Sequence, residues 1–179
     1  MVSLIVFWQY LWLAVGDGRV FYCCYYLEGD FGESVMNQTT VKAPVHLWIV
    51  GILAVLWNAV GAFDYSATQL QAEFYMSQFT AEQLEYFYAF PPWMDAAWAI
   101  AVWGSLLGSI ALLLRKSWAV WLFGVAILGM ACSTVYNFVL SDGYAAMGSG
   151  GAMFTGVIWI IALLLFFYAR AMAKRGVLS

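Results

Sequence analysis

Four long apolar runs set the pattern of this chain: Val45–Phe63, Pro92–Leu114, Ser117–Leu140 and Ala152–Tyr168. A helix needs about 20 residues to cross a hydrocarbon layer of about 30 Å, and each run meets or approaches that length. None has a Lys or Arg in its interior. The strict two-residue alternation of a transmembrane β-barrel is absent, which argues for helices. The expected fold is therefore all-α, a membrane-embedded four-helix bundle.

The polar stretches between the runs carry their own signals. In "FTAEQLEYFYAFPPW", Thr80 and Gln83 have the spacing of a capping box, and Leu84, Phe87 and Tyr88 recur at helical intervals. A short acidic, aromatic helix lying on the membrane surface follows, with Pro91 and Pro92 ending it and opening the next span. A roof over an outward-facing cavity is the alternative for this loop. A second short helix is expected over residues 66–78. The Gly-rich "GSGGAMF" (148–154) follows no strand and lacks a phosphate-binding Lys. It reads as a flexible turn before the last span.

The basic residues fix a topology. Of seven, six lie in three places: Lys42 before the first run, Arg115 and Lys116 between the second and third, and Arg170, Lys174 and Arg175 at the end of the fourth. If all four runs span, those places share one side, and the other receives Asp64, Glu73, Glu82, Glu85 and Asp142 with no Lys or Arg. Positive residues stay in the cytoplasm, so both ends of 36–179 are expected there. Residues 1–35 do not match this pattern. "VSLIVFWQYLWLAV" is 14 apolar residues, short for a span and without a basic leader region. Met36 begins "MNQTTVKAPVHLWIV", a natural start for a membrane protein, so 1–35 reads as an upstream extension. The alternative is a fifth, partly inserted helix.

Composition narrows the function classes. Of 179 residues, 65% are hydrophobic and only 9% are charged, far below the roughly 25% of soluble domains. The lipid bilayer is thus the expected partner, and without a basic stripe nucleic acid is not. Cys23, Cys24 and Cys132 have no metal-ligand or disulfide-framework spacing. His46 is the only histidine and stands at the mouth of the first run, an interfacial position without metal-ligating neighbours. No nucleophile–base pair is evident, so neither an enzyme nor a cofactor or metal site is expected.

Candidate chemistry rests on uncharged polar groups. Asn58, Ser133, Thr134, Tyr136, Asn137 and Thr155 all fall in the outer half of the expected bundle, and Asp64 and Asp95 at outer helix ends. Polar groups within a membrane face a bundle interior or a wet cavity. A shallow outer pocket walled by Trp57, Trp93, Trp98 and Tyr136 is one reading, and interhelical hydrogen bonding is the other. The candidate ligand-binding residues are Trp57, Asn58, Asp64, Asp95, Tyr136 and Asn137. Small residues on the second run, Ala97, Ala101, Gly104, Gly108 and Ala111, repeat at intervals of 4, 3, 4 and 3 and form a packing seam. Ala119, Ala126 and Ser133, with Gly129 and Asn137 beside them, form a matching face on the third run.

The segments "HLWIVGILAVLWNAVGAFDY", "MSQFTAEQLEYFYAFPPW", "WAIAVWGSLLGSIALLLRKSWAV" and "TVYNFVLSDG" resemble blocks of a group of small bacterial four-helix membrane proteins. Its members are mostly uncharacterised, and some are labelled sugar transporters. The resemblance covers about residues 44–175. It implies a shared role for Trp57, Asn58, Asp64, Tyr65, Tyr136 and Asn137, and sugar transport as the activity. With no charge at the middle of a span, a facilitative carrier of a small polar solute is the first functional expectation. Such a carrier needs a homodimer, for which the Gly104–Gly108 motif is the candidate surface. The alternative is an accessory subunit that docks to a larger membrane complex through its aromatic outer loop.

Overall fold

The computed structural model describes residues 42–179. The expectations for 1–35, for Met36 as the start and for Cys23 and Cys24 lie outside those residues. The described elements are α1 (Val45–Gln69), α2 (Glu73–Met76), α3 (Ala81–Tyr88), α4 (Pro92–Leu113), α5 (Ala119–Val135) and α6 (Gly143–Lys174), with a π-helical turn at Tyr136–Leu140. No strand occurs among the described residues. Helices α1, α4, α5 with its π-helical extension, and α6 are long and apolar enough to cross a membrane, which makes the chain a polytopic membrane protein. Their outward side chains agree: Trp121 is 79% exposed, Leu128 67% and Phe167 59%, apolar surface that lipid covers.

The helices start and stop for local reasons. Helix α1 runs six residues past Phe63, through "DYSATQ", which a hydropathy reading leaves out. The hydroxyls of Ser66 and Thr68 donate to the carbonyls of Ala62 and Asp64 at 2.7 and 2.9 Å, so polar residues continue the helix without unpaired groups. It ends with Gln71 in the left-handed region (φ 48°), whose N–H donates to Thr68 O while Ala72 N–H reaches Ala67 O. That Schellman closure recurs at Arg115 (φ 57°) after α4 and at Gly176 (φ 69°) after α6. At α3, Thr80 Oγ1 accepts from the Gln83 backbone while the Gln83 side chain accepts from the Thr80 backbone, the capping box read from sequence.

The last helix corrects the sequence reading. The expected turn at 148–154 is helical on both sides of a single break at Gly148 (φ 67°, ψ −173°), a conformation open to glycine almost alone. Glycine content suggested a loop, but one residue takes up the whole change in direction.

Helices α1, α4, α5 and α6 are neighbours in chain order, whereas α1 and α6 make no extended backbone contact. The small-residue seam lies between α4 and α5. A Cβ added at Gly104 would stand 3.2 Å from Ala126 Cβ, and one at Gly129 would stand 2.7 Å from Ala97 O. A Cβ added at Gly108 would stand 3.1 Å from the Phe123 ring. Gly104 and Gly108, with Ala101 beside Gly129, are therefore filled by α5 of the same chain. The glycine face of the motif is thus occupied within the chain.

The core is tight at one end. Leu47, Leu112, Ala119, Ala169 and Met172 are essentially fully buried there. The chain end folds over them: Ser179 N donates to Arg115 O at 2.7 Å, Ser117 N to Ser179 O at 2.9 Å, and Arg115 Nε to Val177 O at 3.1 Å. These bonds bring the Arg115–Lys116 turn and the end of α6 to one face, the basic end. The loop with Glu73, Glu82 and Glu85 belongs to the opposite, acidic end.

Candidate functional site

Toward the acidic end the bundle opens into a chamber of about 450 Å³. That lies within the range of roughly 300–1,000 Å³ typical of small-molecule sites. Its walls come from all four long helices, and Tyr75, Phe79 and Phe87 from the α2–α3 segment also line it. The short outer segment is thus a roof over the chamber. The chamber is also deep rather than shallow. Ser105 lines it, 13 residues inside the Pro92 end of α4, or about 20 Å along the axis. Phe123 and Leu165, buried on the basic side, close the floor.

A chain of tilted and edge-to-face rings builds the roof. Tyr75 meets Phe79 with centroids 5.4 Å apart, Phe79 meets Phe87 at 5.4 Å, Phe87 meets Phe90 at 6.0 Å, and Phe90 meets Trp98 at 6.2 Å. Hydrogen bonds pin the roof to the bundle. The Tyr86 hydroxyl donates to Asn137 Oδ1 at 2.7 Å and lies 2.9 Å from Ser141 Oγ. Gln83 Nε2 reaches Ala146 O at 3.4 Å, and the Tyr75 hydroxyl donates to Asp64 Oδ1. Burial pushes the Tyr75 hydroxyl above its ordinary pKa of 10.0, and the neighbouring carboxylate adds to the rise. Burial likewise pushes Tyr86 up. Both phenols therefore stay protonated, as donors, at neutral pH.

Of the residues named from sequence, Trp57, Asn58, Asp64 and Asn137 line the chamber. Tyr136 and Asp95 are not among its lining residues. Tyr136 packs against Trp93 at 5.4 Å and Phe90 at 5.6 Å, behind the roof, and half-exposed Trp93 does not wall the chamber either. Asp95 accepts from Gln69 Nε2 at 3.0 Å, which ties the end of α1 to α4. Asn137 lines the chamber but both of its polar atoms are engaged, Oδ1 by Tyr86 and Nδ2 by Ser133 O at 2.7 Å. Asn58 Nδ2 donates to Ala54 O and to the fully buried Ser109 Oγ, both at 2.9 Å, which cross-links α1 to α4. The interhelical role weighed for these amides is present, and it coexists with the chamber.

Sequence reading missed Ser105, Ser109, Thr68, Tyr75 and Tyr86. The serines look like part of the packing seam, and the tyrosines like ordinary interfacial aromatics. Only the fold turns them toward Asn58, Asp64 and Asn137. Thr134 was noted as polar, but its partner, Trp159 Nε1 at 3.0 Å, was not foreseeable from spacing.

The side between α1 and α6 is bridged by side chains. Trp57 and Phe154, both lining residues, have ring centroids 6.3 Å apart. At the basic end His46 Nδ1 lies 2.5 Å from the Tyr168 hydroxyl. Among the described residues no group of His, Cys, Asp and Glu could hold a metal ion. Comparison with protein-family models, curated proteins and solved structures yields no match to the chain.

Proposed function

We propose that this chain is a facilitative carrier of a small solute in a bacterial inner membrane, with the chamber as its binding site in an outward-facing state. The observation that carries the reading is the asymmetry of the bundle: a deep chamber toward the acidic end above a densely packed plug at the basic end. The positive-inside rule supports placing the basic end, with both ends of 36–179, in the cytoplasm. The weak α1–α6 seam supports movement, because helices joined by side chains alone separate more readily than the α4–α5 pair. Among the described residues Asp64 is the one charged side chain lining the chamber, so the wall offers a single fixed charge rather than the series of charged groups of a proton relay.

The resemblance suggests a sugar as the solute. The wall supports one with a larger apolar body. Most chamber hydroxyls donate to their own helix, as Ser133 does to Gly129 O at 3.1 Å and Thr155 to Gly151 O at 2.9 Å. Few donors remain for a ring of sugar hydroxyls.

Uptake into proteoliposomes tests the proposal, with radiolabelled glucose and radiolabelled benzyltrimethylammonium as solutes. Uptake of either that is lost in Ser105→Trp, which fills the chamber, and kept in Trp103→Ala, on the lipid face, supports the carrier. Unchanged uptake in Ser105→Trp, or none of either solute in the wild type, overturns it. Co-purification from native membranes with a stoichiometric partner would favour the accessory-subunit reading instead.

A further inference from the structure

We propose that the chamber binds an organic cation, an ammonium group carried on an apolar body, with the Asp64 carboxylate as counter-charge and the aromatic roof as its cage. The inference rests on the chamber being a binding site and specifies what it takes.

Asp64 lines a chamber whose remaining wall is largely apolar, and among the described residues no Lys, Arg or His lines it. Asp64 is half-buried, and a carboxylate that has lost part of its water shell to an apolar wall gains from a compensating positive charge. Tyr75 supplies one hydrogen bond, to Oδ1, and among the described residues none reaches Oδ2. The other polar atoms facing the chamber are biased the same way. Both Asn58 hydrogen bonds use its Nδ2, which leaves Oδ1 as an acceptor. Thr68, Ser133 and Thr155 donate to backbone carbonyls and keep only lone pairs for a ligand. The donors left over are the Ser105 hydroxyl and the indole N–H groups of Trp57 and Trp98. A site rich in acceptors fits a ligand that only donates, or one that carries bare positive charge.

Other ligand classes fit less well. An anion would face the Asp64 carboxylate with no cationic side chain to offset it. A hard metal ion needs about six or more oxygen ligands, and no suitable group of residues is present among those described. The roof meets the requirement of an organic cation directly. Tyr75, Phe79, Phe87, Phe90 and Trp98 are joined in contacts of 5.4–6.2 Å, and the negative faces of such rings attract an ammonium within about 6 Å. Below them, Met94, Ala101, Phe154 and Ile158 offer an apolar lining for the body of the ligand.

The test is equilibrium binding to the purified full chain in lipid nanodiscs, followed by quenching of intrinsic tryptophan fluorescence. The probes are benzyltrimethylammonium, its neutral counterpart neopentylbenzene, benzoate and glucose. The cation is expected to bind and to be displaced by none of the others. Asp64→Asn is expected to weaken it by about 10- to 100-fold, the effect of losing one charged partner. Asp64→Glu, which keeps the charge, is expected to retain binding. Neopentylbenzene, benzoate or glucose binding as tightly as the cation overturns the assignment while leaving the chamber a binding site. Binding of the cation that Asp64→Asn does not weaken overturns it too. If none of the four probes binds, both the cation and the chamber readings fail. The comparison of probes on the wild type stands by itself if a variant does not fold.

Discussion

Replacing Gly129 by alanine puts a methyl group where the α4–α5 seam has no room. The new Cβ would lie 2.7 Å from Ala97 O and 2.9 Å from Ala101 N, both backbone atoms of the facing helix. Ordinary contacts of this kind begin at 3.4 Å, so the helices must part by about 0.7 Å, the difference of 3.4 and 2.7. A gap of that size forfeits roughly a quarter to a half of the dispersion energy of the contacts it opens. Overpacking of this sort costs about 1–3 kcal/mol, while the better helix propensity of alanine returns about 1 kcal/mol. The expected net loss is about 0–2 kcal/mol. Gly156 on α6 is the control, because an added Cβ there meets nothing within 4 Å. Gly156→Ala should gain up to about 1 kcal/mol, and because both variants share that gain the overpacking cost alone separates them, by about 1–3 kcal/mol. Reversible unfolding in mixed micelles, followed by far-UV circular dichroism, measures both. Equal stability, or a Gly129→Ala protein more stable than Gly156→Ala, would refute the seam geometry.

Gln71 holds a left-handed conformation that costs a side-chain-bearing residue about 1–2 kcal/mol, and glycine adds back about 0.5–1 kcal/mol of chain entropy. Gln71→Gly should therefore stabilise the protein by about 0.5–1 kcal/mol in the same unfolding assay; a loss would contradict the Schellman closure. Leu178 is 6% exposed where the chain end covers the basic end, so Leu178→Ala should cost about 2 kcal/mol or more, and an unchanged midpoint would mean that this segment does not dock. The Tyr75 pKa is raised on folding, so its contribution is present in full below its unfolded value of 10.0 and is lost as pH climbs through the folded value. The unfolding midpoint should hold steady up to pH 10.0 and fall above it, and the alkaline fall should be shallower in Tyr75→Phe; an identical fall in both proteins would count against the Tyr75–Asp64 bond.

Much of this architecture can be read from hydropathy alone, because lipid forces every span to satisfy its own backbone. The runs locate four helices, and the Thr80–Gln83 and Pro91–Pro92 signals locate α3 and its end, since capping chemistry is local. The extension of α1 through "DYSATQ" and of α6 through the glycines escaped that reading for the same reason in reverse. Hydroxyls bonded to i−4 carbonyls, and one glycine absorbing a kink, leave helices that do not look apolar. The seam stands out by its residues, but two partners stayed open for it, the matching face on the third run and a second copy of the chain, because small-residue spacing says that something packs closely without saying what. The candidate site was half visible. Asn58, Asp64 and Asn137 stand out as polar groups in apolar surroundings. Tyr75, Tyr86 and Ser105 do not, since their meaning depends on the α2–α3 segment folding back over the bundle, a long-range event with no periodic signature.

A chamber that binds a solute from the acidic side must be reached by water from that side. In a chain with its cysteines replaced by serine, Ser105→Cys lies about 20 Å inside α4 on the chamber wall, while Leu107→Cys lies two residues on, on the lipid face, 47% exposed. A thiol reacts as its thiolate, which forms in water and not in hydrocarbon. A membrane-impermeant thiol reagent added from the acidic side should modify Ser105→Cys much faster than Leu107→Cys. Equal protection of the two positions would contradict the account.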